Sequence, residues 1–120
     1  MILVDTSVWI DHFRRSEQGL VTHLEEGAVL AHPMVTGELA CGNLVNREEI
    51  LALLGRLPQA PEATHAEALV FIQRNGLMGR GVGYIDVQLL AAAALGGDTR
   101  LWTKDNRLNS VARELGLGYA

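Results

Sequence analysis

Short apolar runs alternate along this chain with segments of helical period, and that alternation limits the fold more than any other feature. Ile2 to Asp5 reads as a short buried strand, with Asp5 at its end. Residues from about Ser7 to Arg14 read as a helix, with Trp9, His12 and Phe13 at helical spacing. Ser16 is placed to cap the next helix, in which Leu20 and Leu24 face inward. "AVLAH" is a second strand, and Pro33 then suits the first turn of a helix carrying Glu38. Asn46 with Glu49 resembles a capping box, and Ile50, Leu53, Leu54 and Leu57 follow at i, i+3, i+4, i+7. Thr64 with Glu67 is a second box, opening a helix to about Asn75. The segment from about Tyr84 to Leu95 is apolar nearly all round and belongs deep inside. "RLWT" is a strand, and Leu108, Val111, Ala112 and Leu115 mark a last helix. Two further short strands are expected, one around Gln59 and one at "GYA".

Strands alternating with helices imply an α/β fold, a central mostly parallel sheet flanked by α-helices. The 120 residues suit one compact domain, 1–120. "LPQAPEATH" joins two elements and not two domains, since neither half could build a core alone. Trp9 reads as core and Trp102 as a strand packing residue. The one cysteine, Cys41, excludes an internal disulfide and fits a reducing compartment. It is read as a small buried apolar residue. The N-terminus lacks a basic stretch before its apolar run, and "LLAAAALGG" is too short to span a bilayer. A soluble cytoplasmic protein with no membrane partner is expected. The formal net charge of -4 counts against a protein that merely coats nucleic acid. Nine of the ten basic residues are arginine, the better phosphate fork.

In a parallel sheet the strand C-terminal ends and the following helix N-termini share one edge, where ligands bind. Asp5 ends the first strand, and Glu38 sits about one turn into the helix after the second. Asp86 lies in the first turn of the apolar helix, and Asp105 follows "RLWT" by two residues. All four acids therefore fall on one edge. The other acids, Asp11 and Glu17 among them, sit on helix bodies, caps or opposite-edge loops and read as solvated surface. Each of the four has a plainer reading too. Asp5 and Asp105 could start a helix or a turn, and Glu38 could be an ordinary exposed helix residue. Asp86 is the hardest to explain that way, because its polar neighbours in an apolar helix are Gln88 and the Gly83 backbone. Thr6, Ser7, Thr103 and Asn106 flank the acids, either orienting them or capping the helices they precede.

Carboxylates gathered at one point raise one another's pKa unless a cation neutralises them. Oxygen-only ligands point to a hard ion, Mg²⁺ or Mn²⁺. Cys41 has no cysteine partner, and the four histidines lack ligand spacing, so no soft-metal site competes. The chemistry this implies is metal-assisted hydrolysis at phosphorus.

"MILVDTSVWIDHFR", "VTGELACG", "GYIDVQLLAAAA" and "LWTKDNRL" together resemble the PIN-domain proteins, most closely the VapC toxins of toxin–antitoxin pairs. The likeness covers essentially the whole chain. Carried over by position, the family's acidic site falls on Asp5, Glu38, Asp86 and Asp105, with Thr6 and Thr103 as its accessory hydroxyls. The resemblance implies a Mg²⁺- or Mn²⁺-dependent endoribonuclease acting on RNA. It also implies a homodimer, and inhibition by a small VapB-like antitoxin. One departure is Leu108, where many relatives carry an aromatic. Two other readings compete. One is a catalytically silent PIN-like module that binds RNA or a protein. The other is a phosphatase or receiver-type aspartyl-phosphate protein, which would need Lys104, the only lysine, beside its nucleophilic aspartate.

Overall fold

β1 (Ile2–Val4) is the middle strand of a three-stranded sheet of order β2-β1-β3, formed with β2 (Val29–Leu30) and β3 (Arg100–Trp102). The computed structural model describes residues 1–119. Both pairings are parallel, and Leu3 stands opposite Leu30 on one side and Leu101 on the other. A central parallel strand is covered on both faces, which is why "ILV" is apolar without alternation.

The two further strands expected from the sequence reduce to single bridges. Ala31 bridges Gln59 along one edge, and Leu101 bridges Gly118 along the other. Pro58 lends only its carbonyl, to the Ala31 N–H at 2.9 Å, because proline has no N–H to extend the ladder. Tyr119 N–H reaches the Leu101 carbonyl at 3.0 Å. Ala120, the last residue of "GYA", lies outside the described residues. These segments cover both sheet edges, which would otherwise present unpaired backbone.

Seven helices surround the sheet among the described residues. They are α1 (Thr6–Arg15), α2 (Gln18–Glu25), α3 (Pro33–Ala40), α4 (Arg47–Arg56), α5 (His65–Asn75), α6 (Tyr84–Leu95) and α7 (Asn106–Glu114). α6 packs against α5 and β3, and every residue from 87 to 93 is buried, as an all-round apolar helix requires. Trp9, Leu20, Leu54, Leu89, Leu90 and Leu108 join the strand residues in one contiguous core. No helix among the described residues is long and apolar enough to cross a membrane.

Local chemistry sets several boundaries. The Thr64–Glu67 box forms as expected: the Glu67 N–H donates to Thr64 Oγ1 at 3.1 Å, and the Thr64 N–H to Glu67 Oε1 at 2.8 Å. The Asn46–Glu49 box does not form. Asn46 is left-handed, at φ 58°, whereas a side-chain cap needs an extended backbone to reach the next turn. Ser16 is not the cap of α2 either. At φ 45° it closes α1, its N–H on the His12 carbonyl at 2.8 Å, and Glu17 precedes α2 with its N–H on His12 Nδ1. Cys41, expected in the interior, is exposed just beyond α3. The face of Ile50, Leu53, Leu54 and Leu57 divides: Leu54 is core, while Leu53 is 36% exposed. Trp9 is fully buried, and Trp102 stacks on Tyr119 with ring centroids 4.8 Å apart.

Candidate active site

Because the sheet is parallel, β1 and β3 end side by side, and the residues just past them are neighbours despite lying 98 positions apart. The Asp5 N–H closes the ladder on the Trp102 carbonyl at 2.9 Å. Asp5 precedes α1 but makes no side-chain cap bond. Its carboxylate turns instead to Thr103, whose hydroxyl donates to Oδ2 at 2.7 Å, and to Ser7, which donates to the same oxygen at 2.8 Å. Both hydroxyl hydrogens are thereby used, so the 3.3 Å Ser7–Thr103 contact is proximity and not a further bond. The hydroxyl oxygens then accept backbone donors, Thr103 from the Asp105 N–H at 3.0 Å and Ser7 from the Lys104 N–H at 2.9 Å. One buried carboxylate is thus wired through two hydroxyls to the loop that carries Asp105.

The other acids arrive from separate helices. Asp105 caps α7, its Oδ1 accepting the Leu108 N–H at 2.9 Å. Asp86 sits in the first turn of α6, its Oδ2 accepting the Gly83 N–H at 3.0 Å. Gln88 does not serve it; that amide donates to the Tyr84 hydroxyl. Glu38 stands exposed on α3, and Thr6 donates to its Oε1 at 2.7 Å. Every one of the four carboxylates is held through one oxygen, and the second oxygen of each accepts no hydrogen bond among the described residues. The cap reading and the site reading of Asp105 and Asp86 are therefore compatible, since the cap occupies half of each group.

Asp86 also reports on its neighbours. Burial raises its pKa above the ordinary 3.8, the Gly83 N–H opposes that, and the charges of Asp5, Asp105 and Glu38 push it up further. The four acids share one field. They do not form a closed cage: no three His, Cys, Asp or Glu side chains among the described residues converge tightly enough to grip one ion directly. An all-oxygen set with spare oxygens and loose spacing fits a hard divalent ion that keeps part of its water.

Two residues beside the acids change the picture drawn from the sequence. Lys104 does not approach Asp5. Its ammonium donates to Asp11 at 2.9 Å and Glu17 at 2.7 Å. Asp11 and Glu17 are consequently ion-paired and not merely solvated, and the receiver-type reading loses its lysine. Asn106 opens α7 exposed and takes no part in the hydrogen bonds around the acids. Thr6, Ser7 and Thr103 do.

A small parallel sheet carrying four acids from four elements on one edge defines a class of acidic-site α/β proteins. The chain belongs to the PIN-domain family, whose profile matches residues 2–114. Among curated proteins it is 46% identical over 120 residues to "Ribonuclease VapC32" of Mycobacterium tuberculosis, in strain CDC 1551 / Oshkosh and again in strain H37Rv. The match covers 100% of this chain and 97% of each relative.

Proposed function

We propose that this chain is a VapC-type endoribonuclease that hydrolyses RNA phosphodiesters at the edge holding Asp5, Glu38, Asp86 and Asp105, with residues 1–120 forming one nuclease domain. The observation that carries the reading is the half-occupied state of the four carboxylates. Each is oriented through one oxygen and keeps the other available. PIN-domain ribonucleases are divalent-metal dependent as a class, and the full-length likeness to a ribonuclease supports the same reading here.

Asp5 and Asp86 would hold the ion, with Glu38 and Asp105 completing its surroundings. The oxygen-only donor set favours Mg²⁺ or Mn²⁺. When bound, the ion supplies an acidified water and stabilises charge on the departing oxygen. The protein's own part is positional. Thr103 and Ser7 fix the Asp5 plane, Thr6 fixes Glu38, and the α6 and α7 backbones fix Asp86 and Asp105. Asp86, its pKa raised by burial and by the charges around it, takes up a proton in the metal-free protein more readily than a free aspartate does.

Partners follow from the same reading. A VapB-like antitoxin would place an arginine or lysine against the acids. A groove of about 540 Å³ begins at Glu38 and runs over Ile10, Phe13, Leu44, Val45 and Ile50, which suits an apolar segment of that partner. Homodimerisation belongs to the same proposal.

The test is cleavage of purified total RNA with Mg²⁺ or Mn²⁺. Asp5→Asn, Asp86→Asn and Asp105→Asn should each remove most activity, and Glu38→Gln much of it. Cleavage that persists undiminished in EDTA, or in an Asp5/Asp86 double variant, would sink the proposal in favour of a contaminant or another site.

A further inference from the structure

An edge carrying four carboxylates repels the polyanion it is proposed to cut, so the substrate strand needs a cation there. The basic residues can be sorted by where they lie and what they already hold. Arg14, Arg15, Arg74 and Arg113 close helices α1, α5 and α7, and Arg100 begins β3. Arg47 and Arg56 bracket α4. Arg80 pairs with Glu114 at 2.8 Å. Arg14 also lines the groove that holds Glu38, while Lys104 and Arg107 follow β3 toward Asp105 and Asp5, and Lys104 is committed to Asp11 and Glu17. Arg107 forms no ion pair or hydrogen bond among the described residues.

Its position is not explained by helix stability. Arg107 is in the first turn of α7, where the helix dipole disfavours a cation, and the acid at that end, the N-cap Asp105, gives an oxygen to the Leu108 N–H and makes no ion pair with Arg107. The neighbouring loop makes room for it. Gly81 has φ +80°, and a Cβ there would come within 2.8 Å of Arg107 Cδ and 3.1 Å of a terminal nitrogen. The side chain therefore lies across the glycine-rich segment that leads to Asp86, while its own helix begins at Asp105. It spans the supports of two of the four acids without pairing with either.

We propose that Arg107 is the phosphate contact of this site, its guanidinium binding a backbone phosphate of the RNA strand at the acidic edge. The inference rests on the ribonuclease reading and adds a residue to it. A planar fork with no protein partner matches two phosphate oxygens, and its packing on Gly81 limits the freedom lost on binding.

The experiment uses the full chain carrying Asp86→Asn, so that RNA binds without being cut. Affinity for a labelled single-stranded oligoribonucleotide is measured by anisotropy across a KCl series, with and without Arg107→Met. Methionine keeps an aliphatic stem over Gly81 and removes the charge. The expected result is a several-fold weaker affinity and a log–log salt slope smaller by about 0.7, the value for one single-strand phosphate. Arg107→Lys should keep the slope and lose part of the affinity. In the otherwise wild-type enzyme, Arg107→Met should raise KM more than it lowers kcat. Unchanged affinity and slope in Arg107→Met, while the wild type cleaves RNA, would overturn this inference alone. A wild type that neither binds nor cleaves RNA would overturn the ribonuclease reading with it. If the methionine variant loses its fold by thermal melt, Arg107→Lys decides: full affinity for RNA overturns the proposal, and reduced affinity with a retained slope supports it.

Discussion

Thr103 does two jobs with one oxygen. It donates to the buried carboxylate of Asp5 and accepts the N–H of Asp105, so it sets the spacing between the two acids. Thr103→Val preserves shape and removes both bonds, leaving a buried carboxylate one donor short and a backbone N–H without its acceptor. The expected cost is about 2 kcal/mol in denaturant unfolding, with a loss of nuclease activity larger than the stability change explains. Equal midpoints for the two proteins would mean that Ser7 alone holds Asp5. The residue types at this site were legible in the sequence, because hydroxyls beside acids at strand ends are unusual enough to notice. Their wiring was not. Nothing in the spacing of Ser7 and Thr103 says that both hydroxyls fall on one oxygen, or that Lys104 turns away to Asp11 and Glu17. That Lys104 is the only lysine singles it out, but its bonds to Asp11 and Glu17 keep it from the place beside Asp5 that a receiver-type site requires.

At the scale of elements, similar capping sequences had opposite outcomes, and the backbone decides between them. Thr64 precedes α5 with an extended backbone at φ -68°, so its side chain reaches the Glu67 N–H. Asn46 precedes α4 at φ 58°, and its side chain caps nothing. Thr64→Ala should therefore destabilise the protein by about 1 kcal/mol. Asn46→Gly should be neutral or slightly stabilising, because glycine adopts a left-handed backbone without strain. Chemical denaturation of the two variants side by side checks the contrast, and an equal loss in both would contradict it. Helix existence was legible where an apolar run was too long for a strand, as for α6, whose observed span matches the expected Tyr84 to Leu95. Short features were not. Ser16 and Asn46 are polar residues suited to starting a helix, yet each takes a left-handed turn imposed by the chain around it. The edge segments at Gln59 and Gly118 shrink to single bridges for a comparable reason, since tertiary packing and not local sequence sets how far a strand extends.

At the scale of the whole molecule, the parallel sheet gathers charge that the chain spreads over a hundred positions. That gathering was legible because parallel strands put every strand end on one side, whatever the loops between them do. What it costs can be measured. The folded protein holds a proton on Asp86 more firmly than the unfolded chain does. Its contribution to stability is therefore present below pH 3.8 and lost as pH rises through the raised folded value. His12 and His32 act in the opposite sense. Burial lowers both below 6.5, so stability is lost as pH falls from there and the buried rings must charge. At neutral pH without metal, the histidine penalty is absent and the Asp86 penalty is complete. Asp86→Asn removes the charge and keeps an oxygen for the Gly83 N–H. It should melt above wild type at pH 7 in EDTA, and the advantage should shrink as pH is lowered toward 3.8. Mg²⁺ or Mn²⁺ should reverse the order by stabilising the wild type, by roughly 2.7 kcal/mol at a hundredfold excess over Kd. The variant should gain much less. Thermal melts of both proteins, with and without metal, at neutral and acidic pH decide it. An Asp86→Asn protein that melts well below wild type at pH 7 in EDTA would show that the carboxylate serves chiefly as the cap of α6, and the metal reading would then rest on Asp5 and its two hydroxyls.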